Sequence, residues 1–228
     1  MKKLFCLLIL LIFAGIVFFT GWTQIKVKPD TIGVIRSKTG GVNESPVIPG
    51  QFSWHKEFLL PTNAVMTSFS MNPQICQKKI TGKSTFKSLQ DSYLYDLDYS
   101  FDFSIALAYS PEYIIELLKN NTITNEDDLL NYLSVNADSI CQKASAYYLQ
   151  KYQEDSTFNP NSIKTKEVLR YVQPDANLSE IDMALTNYSI QMRLVNSDVN
   201  PVPEVKTDSA LTDTKTTQIP QNAETKAQ

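Results

Sequence analysis

The chain has few of the side chains on which most catalytic and metal sites depend. Its 228 residues include one histidine, His55, and three cysteines. One imidazole cannot form a multi-histidine metal centre, and any serine or cysteine triad would have to use His55 as its base. Three cysteines are too few for a disulfide scaffold, and their spacing is not that of a metal site. The sequence therefore predicts a protein with no enzymatic activity, no metal and no cofactor.

An excess of charge of one sign is also lacking, because 21 basic residues are matched by 24 acidic residues and the formal net charge is −3. Proteins that bind nucleic acid usually carry a basic surplus, so we expect no nucleic acid partner. The adjacent glycines Gly40 and Gly41 lack the Gly-x-x-x-x-Gly-Lys-Ser/Thr spacing of a phosphate-binding loop. A hairpin turn explains the pair instead.

Residues 4–22 form a long apolar run that contains no charged side chain. As a helix the run would measure about 28 Å, close to the thickness of a bilayer core. Lys2 and Lys3 precede it, and Trp22 ends it where an interfacial aromatic residue belongs. The alternative is a cleaved signal peptide, but no position in the run offers the pair of small residues that cleavage requires. We therefore predict a retained membrane anchor over residues 1–22.

Basic residues lie on both sides of this anchor. Lys2 and Lys3 favour a cytoplasmic N-terminus, which would place the body of the chain outside. Basic residues that follow the run weaken this rule, namely Lys26, Lys28, Arg36 and Lys38. Cys6 comes too early in the run to be the cysteine of a lipoprotein. The predicted topology is a single-pass membrane protein with its N-terminus in the cytoplasm and its body extracytoplasmic.

A strict alternation over residues 93–109 is the clearest structural signal in the body. From Tyr95 to Tyr109 every odd position is large and apolar or aromatic, and the positions between them are Asp, Ser or Ala. A period of two predicts a long β-strand with one buried face. The aromatic residues of this stretch could line a ligand groove, but a core beneath helices explains them better.

The opposite face of this predicted strand carries Asp96, Asp98 and Asp102. Carboxylates in a row could bind a hard cation. However, residues i and i+2 of a strand stand about 7 Å apart, whereas a calcium site usually needs a tight loop. A solvated strand face is the better interpretation.

Shorter patterns on either side of the strand predict an α+β fold. Further strands are expected at residues 24–28, 31–36, 65–71, 79–89 and 190–194. Helices are expected after Ser110, after residues 124–127, at 162–172 and after Asn177, the last with an inward face of Ile181, Ala184, Leu185 and Tyr188. The expected architecture is a strongly bent antiparallel sheet with helices packed on one face, preceded by one transmembrane helix.

The longest predicted helix opens with Thr124-Asn125-Glu126-Asp127, which resembles a capping box. Its apolar stripe follows the 3.6-residue period and should lie on the sheet. The stripe consists of Leu129, Leu130, Leu133, Ala137, Ile140, Cys141, Ala144 and Tyr148. Because Tyr147 and Tyr148 are adjacent, one of the two rings must point away from the stripe. With Tyr152, that ring could form a partner surface.

Three further side chains each allow two interpretations. Cys76 and Cys141 would tend to form a disulfide in an oxidising compartment if their Cα atoms lie within about 7 Å; the alternative is two buried apolar cysteines. His55 could be a catalytic base or a pH sensor. The lack of a serine or cysteine nucleophile motif favours a histidine that packs in a surface loop.

Residues 197–228 contain three prolines, many Thr, Asp and Lys residues, and no aromatic residue. Such a segment cannot bury enough apolar surface to offset its ordering entropy, so we predict a disordered tail. The expected organisation is an anchor at 1–22, a body at 23–196 and a tail at 197–228.

Four segments of the anchor-bearing chain occur in an order that is specific in combination. They are Pro29-Asp30-Thr31-Ile32-Gly33-Val34, Pro49-Gly50-Gln51-Phe52-Ser53-Trp54, the strand at 96–110, and Ala184-Leu185-Thr186-Asn187-Tyr188-Ser189-Ile190. With this order, residues 22–196 resemble the SPFH or band 7 family, which includes the stomatins, prohibitins and flotillins. One departure is Ser189, where that family usually has a glycine.

The resemblance implies a non-enzymatic scaffold that self-associates and organises or regulates membrane proteins, a membrane protease among them. Similar proteins continue into a long charged helix that builds the walls of large rings, whereas here the proline-bearing residues 197–228 follow. The implied assembly is a small homo-oligomer, or a hetero-oligomer with a longer relative, in contact with membrane lipids. The alternative is a non-oligomeric extracytoplasmic protein-binding module on the same anchor.

Overall fold

The computed structural model describes residues 2–23, 26–60, 62–88 and 93–195. Its α-helices are α1 (Lys2–Gly21), α2 (Pro111–Lys119), α3 (Glu126–Glu154) and α4 (Thr165–Val172), with short 3-10 helices at Lys56–Leu59 and Pro160–Ser162. Its strands are β1 (Thr31–Ser37), β2 (Gly41–Val42), β3 (Ala64–Ser70), β4 (Gln74–Lys87), β5 (Leu94–Tyr109) and β6 (Leu178–Leu194). The predicted tail at 197–228 lies outside the described residues.

The α+β class predicted from the sequence is confirmed, but the strands form two antiparallel sheets rather than one bent sheet. One sheet has the order β2-β1-β3 and the other β4-β5-β6. At the end of β3, the Ser70 N–H donates to the Glu126 carboxylate at the start of α3, at 3.0 Å to the nearer oxygen, and not to another strand. Pro73, which has no N–H to donate, then separates β3 from β4.

The predicted long strand is confirmed as β5, the centre of the larger sheet. It pairs with β4 on one side and with β6 on the other. Its odd-numbered side chains face the core, where Leu97, Phe101 and Leu107 are fully buried. The strand ends at Ser110, whose side chain accepts a hydrogen bond from the Tyr113 N–H at 3.3 Å and so caps α2 as predicted.

The helix predicted after Asn177 is wrong, because residues 178–194 form the single strand β6. A β-bulge explains the error: Leu185 pairs with Phe103 and Asn187 with Asp102, which leaves Thr186 as an extra residue. The bulge shifts the alternation by one position. Core-facing side chains are therefore odd-numbered before it and even-numbered after it, and their spacing imitates one turn of a helix. These side chains are Ile181, Met183, Leu185, Tyr188, Ile190 and Met192.

The long helix α3 packs on the larger sheet through the predicted stripe, of which Leu129, Ala137 and Ala144 are buried. The predicted capping box begins at Thr124, whereas the residue that caps the helix is the next one, Asn125. The Asn125 side chain accepts the Asp128 N–H at 2.9 Å, and the Asp128 carboxylate accepts the Thr124 N–H at 2.8 Å. Two partly exposed backbone donors at the helix start are thereby satisfied.

The suggested partner surface, formed by the outward ring of Tyr147 or Tyr148 together with Tyr152, is also wrong, because all three side chains are buried. Tyr148 packs on the sheet, with its ring centroid 5.7 Å from that of Phe101. Tyr147 points the other way but is covered by α4, where the Tyr171 ring lies at 4.5 Å. Tyr152 is buried in the same layer. The short helix α4 therefore covers the side of α3 that the sequence pattern left open.

The smaller sheet is covered on both faces. Ile32, Val34 and Phe69 face the main core, whereas Ile35 and Val47 belong to a second apolar cluster on the opposite face. Val47 is held there by paired backbone hydrogen bonds with Gly33, at 2.7 and 2.9 Å.

Most of the shorter strands that the sequence predicts are present in the structure. The strands predicted at 31–36 and 65–71 are confirmed as β1 and β3, and the one predicted at 79–89 is the longer β4. The hairpin turn predicted at Gly40 and Gly41 joins β1 to β2, with Gly41 at a φ of +71°. The strand predicted at 24–28 is wrong over 26–28, where the Lys26 N–H donates to the Thr23 carbonyl in a turn.

The core on β5 gives a direct stability prediction. Phe101→Ala should lower the free energy of unfolding by about 3–5 kcal/mol, because it empties a fully buried position. Ile75→Ala is the matched control on the adjacent strand β4, since that side chain is 65% exposed, and it should change the free energy by less than about 0.5 kcal/mol. Denaturant unfolding followed by circular dichroism in detergent measures both. Equal losses would contradict the assigned faces of the sheet.

Candidate functional site

The N-terminal helix α1 is apolar and exposed along nearly all of its length. It spans Lys2–Gly21 with a mean hydropathy of 2.8 over its most apolar window, and Gly21 is its one buried residue. By length and composition it could be a membrane anchor or a signal sequence. In either case, the last turn of this helix is where it meets the body of the chain.

The end of α1 is joined to a loop of the body by backbone hydrogen bonds. The His55 N–H donates to the Gly21 carbonyl at 2.8 Å, and the Thr23 N–H donates to the Ser53 carbonyl at 3.0 Å. Trp22 and Trp54 face each other between these bonds as an antiparallel bridge. The last turn of α1 thus continues into a short two-stranded contact with residues 53–55.

Aromatic side chains pack around this contact. The Trp54 indole N–H donates to the Phe18 carbonyl at 3.2 Å, one turn before the end of α1. The Phe18 ring lies 6.0 Å from Phe52 and 5.7 Å from Trp22, measured between centroids. Gly21 has no side chain at the point where the indole of Trp54 crosses the helix, and a Cβ atom there would overlap that ring. We call Phe18, Gly21, Trp22, Phe52 and Trp54 the junction.

His55 supports the loop side of the junction. Its Nε2 lies 2.8 Å from Ser53 Oγ, and its Nδ1 lies 3.2 Å from Asn43 Nδ2 and 3.8 Å from the Glu57 carboxylate. Burial lowers the pKa of His55 below its usual value, although the neighbouring Glu57 raises it. The imidazole therefore links the loop to the segment that follows β2.

The order Ser53, His55, Glu57 imitates a catalytic triad, which the sequence analysis did not notice. The assigned hydrogen bonds argue against that role. Asn43 Oδ1 accepts the Ser45 N–H at 3.3 Å, which leaves the Asn43 amide nitrogen to donate to His55 Nδ1. With Asn43 as the donor to Nδ1, the His55 proton would lie on Nε2 and be donated to Ser53, which is the reverse of the arrangement in a catalytic triad. These contacts join His55 to its own loop and to Asn43, and its role as a packing residue of a surface loop stays a prediction.

The aspartates of β5 lie on its outward face and are paired across the sheet. Asp96 accepts a hydrogen bond from Thr85 at 2.7 Å, and Asp98 lies 3.4 Å from Lys83. Asp102 lies 3.9 Å from Lys79. In the part of the chain that the structure describes, no cluster of His, Cys, Asp or Glu side chains could hold a metal ion.

The cysteines of the body, Cys76 on β4 and Cys141 on α3, are buried free thiols. Burial raises the pKa of both, that of Cys141 to about 12. The structure therefore favours two buried cysteines over the disulfide, which stays a hypothesis for the exported protein. Cys6 is exposed on α1.

Comparison with known proteins leaves the activity open. No protein-family model matches the chain. It is 24% identical over 174 residues to an uncharacterized protein of Treponema pallidum (strain Nichols), a stretch that covers 71% of this chain and 58% of that relative. The chain thus spans less than two thirds of the relative's length. The resemblance to the SPFH family stays a prediction.

The sequence analysis missed the junction because its two halves are far apart in the chain. The signal that could have indicated it is the placement of the two tryptophans. Trp22 ends the apolar run. Trp54 lies two residues after Phe52 in a loop, and no strand or helix pattern would bury either tryptophan ring. Aromatic residues of this kind are typical of the membrane interface.

Two glycines of α1 provide a matched test of the junction. Gly21→Val should lower the free energy of unfolding by about 1–3 kcal/mol, because the new side chain displaces the Trp54 indole. Gly15→Val is the control, since no side chain and no other element lies within 4 Å of a Cβ at that position. Thermal unfolding in detergent compares the two variants with the unaltered chain. The same midpoint for both variants would show that Trp54 does not pack on α1.

His55 gives a prediction about pH. Because its pKa is lowered in the folded chain, the unfolded chain binds the proton first as the pH falls. The free energy of unfolding should therefore decrease from about pH 7.5 to about pH 5.5, and His55→Gln should remove this part of the dependence. As the chain has one histidine, a single imidazole NMR signal reports the titration. A midpoint at or above the usual histidine pKa of about 6.5 would contradict the burial of the ring.

Proposed function

We propose that the chain is a membrane-anchored, non-enzymatic scaffold. It stays attached to the membrane through α1, self-associates or joins a longer relative, and organises or regulates membrane proteins, a membrane protease among them. The observation that carries the proposal is the junction. A signal sequence leaves the mature protein and has no part in its fold, whereas the last turn of α1 contributes Phe18 and Gly21 as hydrogen-bond acceptors for Trp54 and His55.

The orientation of the anchor is part of the proposal. Lys2 and Lys3 at the start of α1 favour a cytoplasmic N-terminus and an extracytoplasmic body. Two polar side chains that could take part in chemistry make structural contacts in the described chain. His55 supports the loop, and the Tyr109 hydroxyl accepts a hydrogen bond from Asn136 at 2.7 Å. These contacts favour a scaffold over an enzyme.

The larger sheet offers surfaces for lateral contact. Within the described residues, β4 and β6 each pair with β5 alone, so each has one edge that is not paired with another strand. Strand edges present backbone donors and acceptors that a neighbouring strand can complete. With α1 in the bilayer, neighbouring copies would be held at the same height and in the same orientation, which makes contact between their sheets favourable. The proposed self-association would use such surfaces of the body together with the anchor.

A crosslinker that reacts with amines and cannot cross membranes tests this proposal on intact cells. The body exposes Lys79 and Lys83, both well over half accessible, so the reagent should modify the chain. Dimers or small oligomers should appear, and a chain ending at residue 196 should give the same products because the globular body makes the contacts. A soluble cytoplasmic protein serves as the control for intact membranes.

Other crosslinking results would contradict individual parts of the proposal. Modified chains that remain monomeric would favour the non-oligomeric binding module. Modification only after lysis would show that the body is cytoplasmic. Loss of oligomers in the shortened chain, or a stable ring of many subunits formed by the full chain alone, would contradict the proposed role of the body.

A further inference from the structure

A group of exposed apolar side chains surrounds the junction. We call residues 48–60 the membrane-proximal loop. Its exposed apolar members are Ile48, Phe52, Trp54, Leu59 and Leu60, of which Phe52 is 63% and Leu60 61% exposed. Elsewhere in the described body, Val65, Ile75, Val135 and Tyr171 are exposed on different elements, and a smaller exposed group, Tyr93, Leu94 and Val195, lies at one end of the larger sheet. An apolar group concentrated in one loop indicates an interaction surface.

The contacts of this loop fix its depth relative to α1. Trp54 is hydrogen-bonded to the Phe18 carbonyl, and Phe52 stacks on the Phe18 ring. Phe18 lies three residues before Gly21, which corresponds to about 4.5 Å along a helix axis. When α1 spans a bilayer, the end of the helix lies at the interface, and Phe18 lies on the hydrocarbon side of it. Phe52 and Trp54, the two aromatic residues of the loop that contact Phe18, must lie at that same level.

We propose that the membrane-proximal loop inserts into the surface of the bilayer, with lipid as its partner. The inference rests on the proposed function, since it requires that α1 stays attached. Phe52, Trp54 and Leu60 enter the boundary between acyl chains and headgroups. The Lys26 ammonium lies 4.7 Å from the centre of the Phe58 ring, and Lys56 is an exposed residue of the same loop as Phe58, so both can reach lipid phosphates. Aromatic residues and lysines together are the composition of an interfacial membrane contact.

Insertion would give the body a second attachment besides α1. One helix alone leaves the body free to tilt about its end. A loop in the membrane beside that helix fixes which face of the body meets the bilayer, and hence which sheet edges face neighbouring copies. The loop would in this way determine the direction of lateral assembly.

The chain has two tryptophans, Trp22 and Trp54, which makes the proposal measurable by fluorescence. The full chain is reconstituted into phosphatidylcholine–phosphatidylglycerol vesicles whose acyl chains carry bromine near the headgroup end. In a Trp22→Phe variant, the emission of Trp54 should fall by about half or more, as for a ring at the interface. A Trp54→Phe variant reports Trp22 at the end of the anchor. Val135→Trp, placed on α3 in a background without the other two tryptophans, is the control that should not be quenched.

The outcomes separate this inference from the proposed function. Quenching of Trp22 without quenching of Trp54 would overturn the insertion of the loop and leave the anchor intact. Quenching of neither would mean that α1 is not held in the bilayer, and the proposed function would fail with it. The unaltered chain provides a measurement that needs no substitution. If both rings lie at the interface, its emission should fall by at least the same fraction as that of the Trp22→Phe variant, and a clearly smaller fall would again overturn the inference.

Discussion

The double pairing of β5 is the constraint on which the rest of the fold depends. Because this strand is hydrogen-bonded to β4 on one side and β6 on the other, its pleat is regular, and the large side chains at its odd-numbered positions all leave the sheet on one face. That face is too long for one short helix to cover, and α3 extends over it with its own apolar stripe. The opposite face is polar, with Asp98 and Asp102 near lysines of β4. The smaller sheet then extends the core through Ile32 and Phe69, and its far face carries the loop that reaches α1.

The junction applies a different constraint, because it joins a surface suited to lipid with a surface suited to water. At such a boundary the backbone groups at the end of a helix need partners. Here the Gly21 carbonyl finds the His55 N–H, and the Phe18 carbonyl finds the indole of Trp54. His55 then holds its loop through Ser53 and Asn43. The same few contacts therefore satisfy the helix end, shape the loop and set the position of the body above the proposed membrane.

The parts of the fold that the sequence predicts are those where one period continues without interruption. β5 alternates over its whole length, and the stripe of α3 keeps helical spacing from Leu129 to Tyr148, so local chemistry decides both. The sequence predicts a helix in place of β6, because the bulge at Thr186 moves the core-facing side chains from odd-numbered to even-numbered positions. The junction could not be predicted, since Gly21 and Trp54 meet through tertiary contacts that no local pattern contains. The same holds for Tyr147, which is buried only because α4 folds over it.

If the end of α1 and the membrane-proximal loop form one rigid unit, amide hydrogen exchange across the junction should be slow. The measurement uses the full chain in lipid nanodiscs and resolves the amides of Thr23 and His55, which donate to Ser53 and Gly21 across the junction. A Gly21→Val chain in the same nanodiscs corrects for protection by the bilayer itself. The account predicts slow exchange at both amides in the unaltered chain and clearly faster exchange in the variant. Fast exchange at both amides in the unaltered chain, at the rate of an open loop, would contradict it.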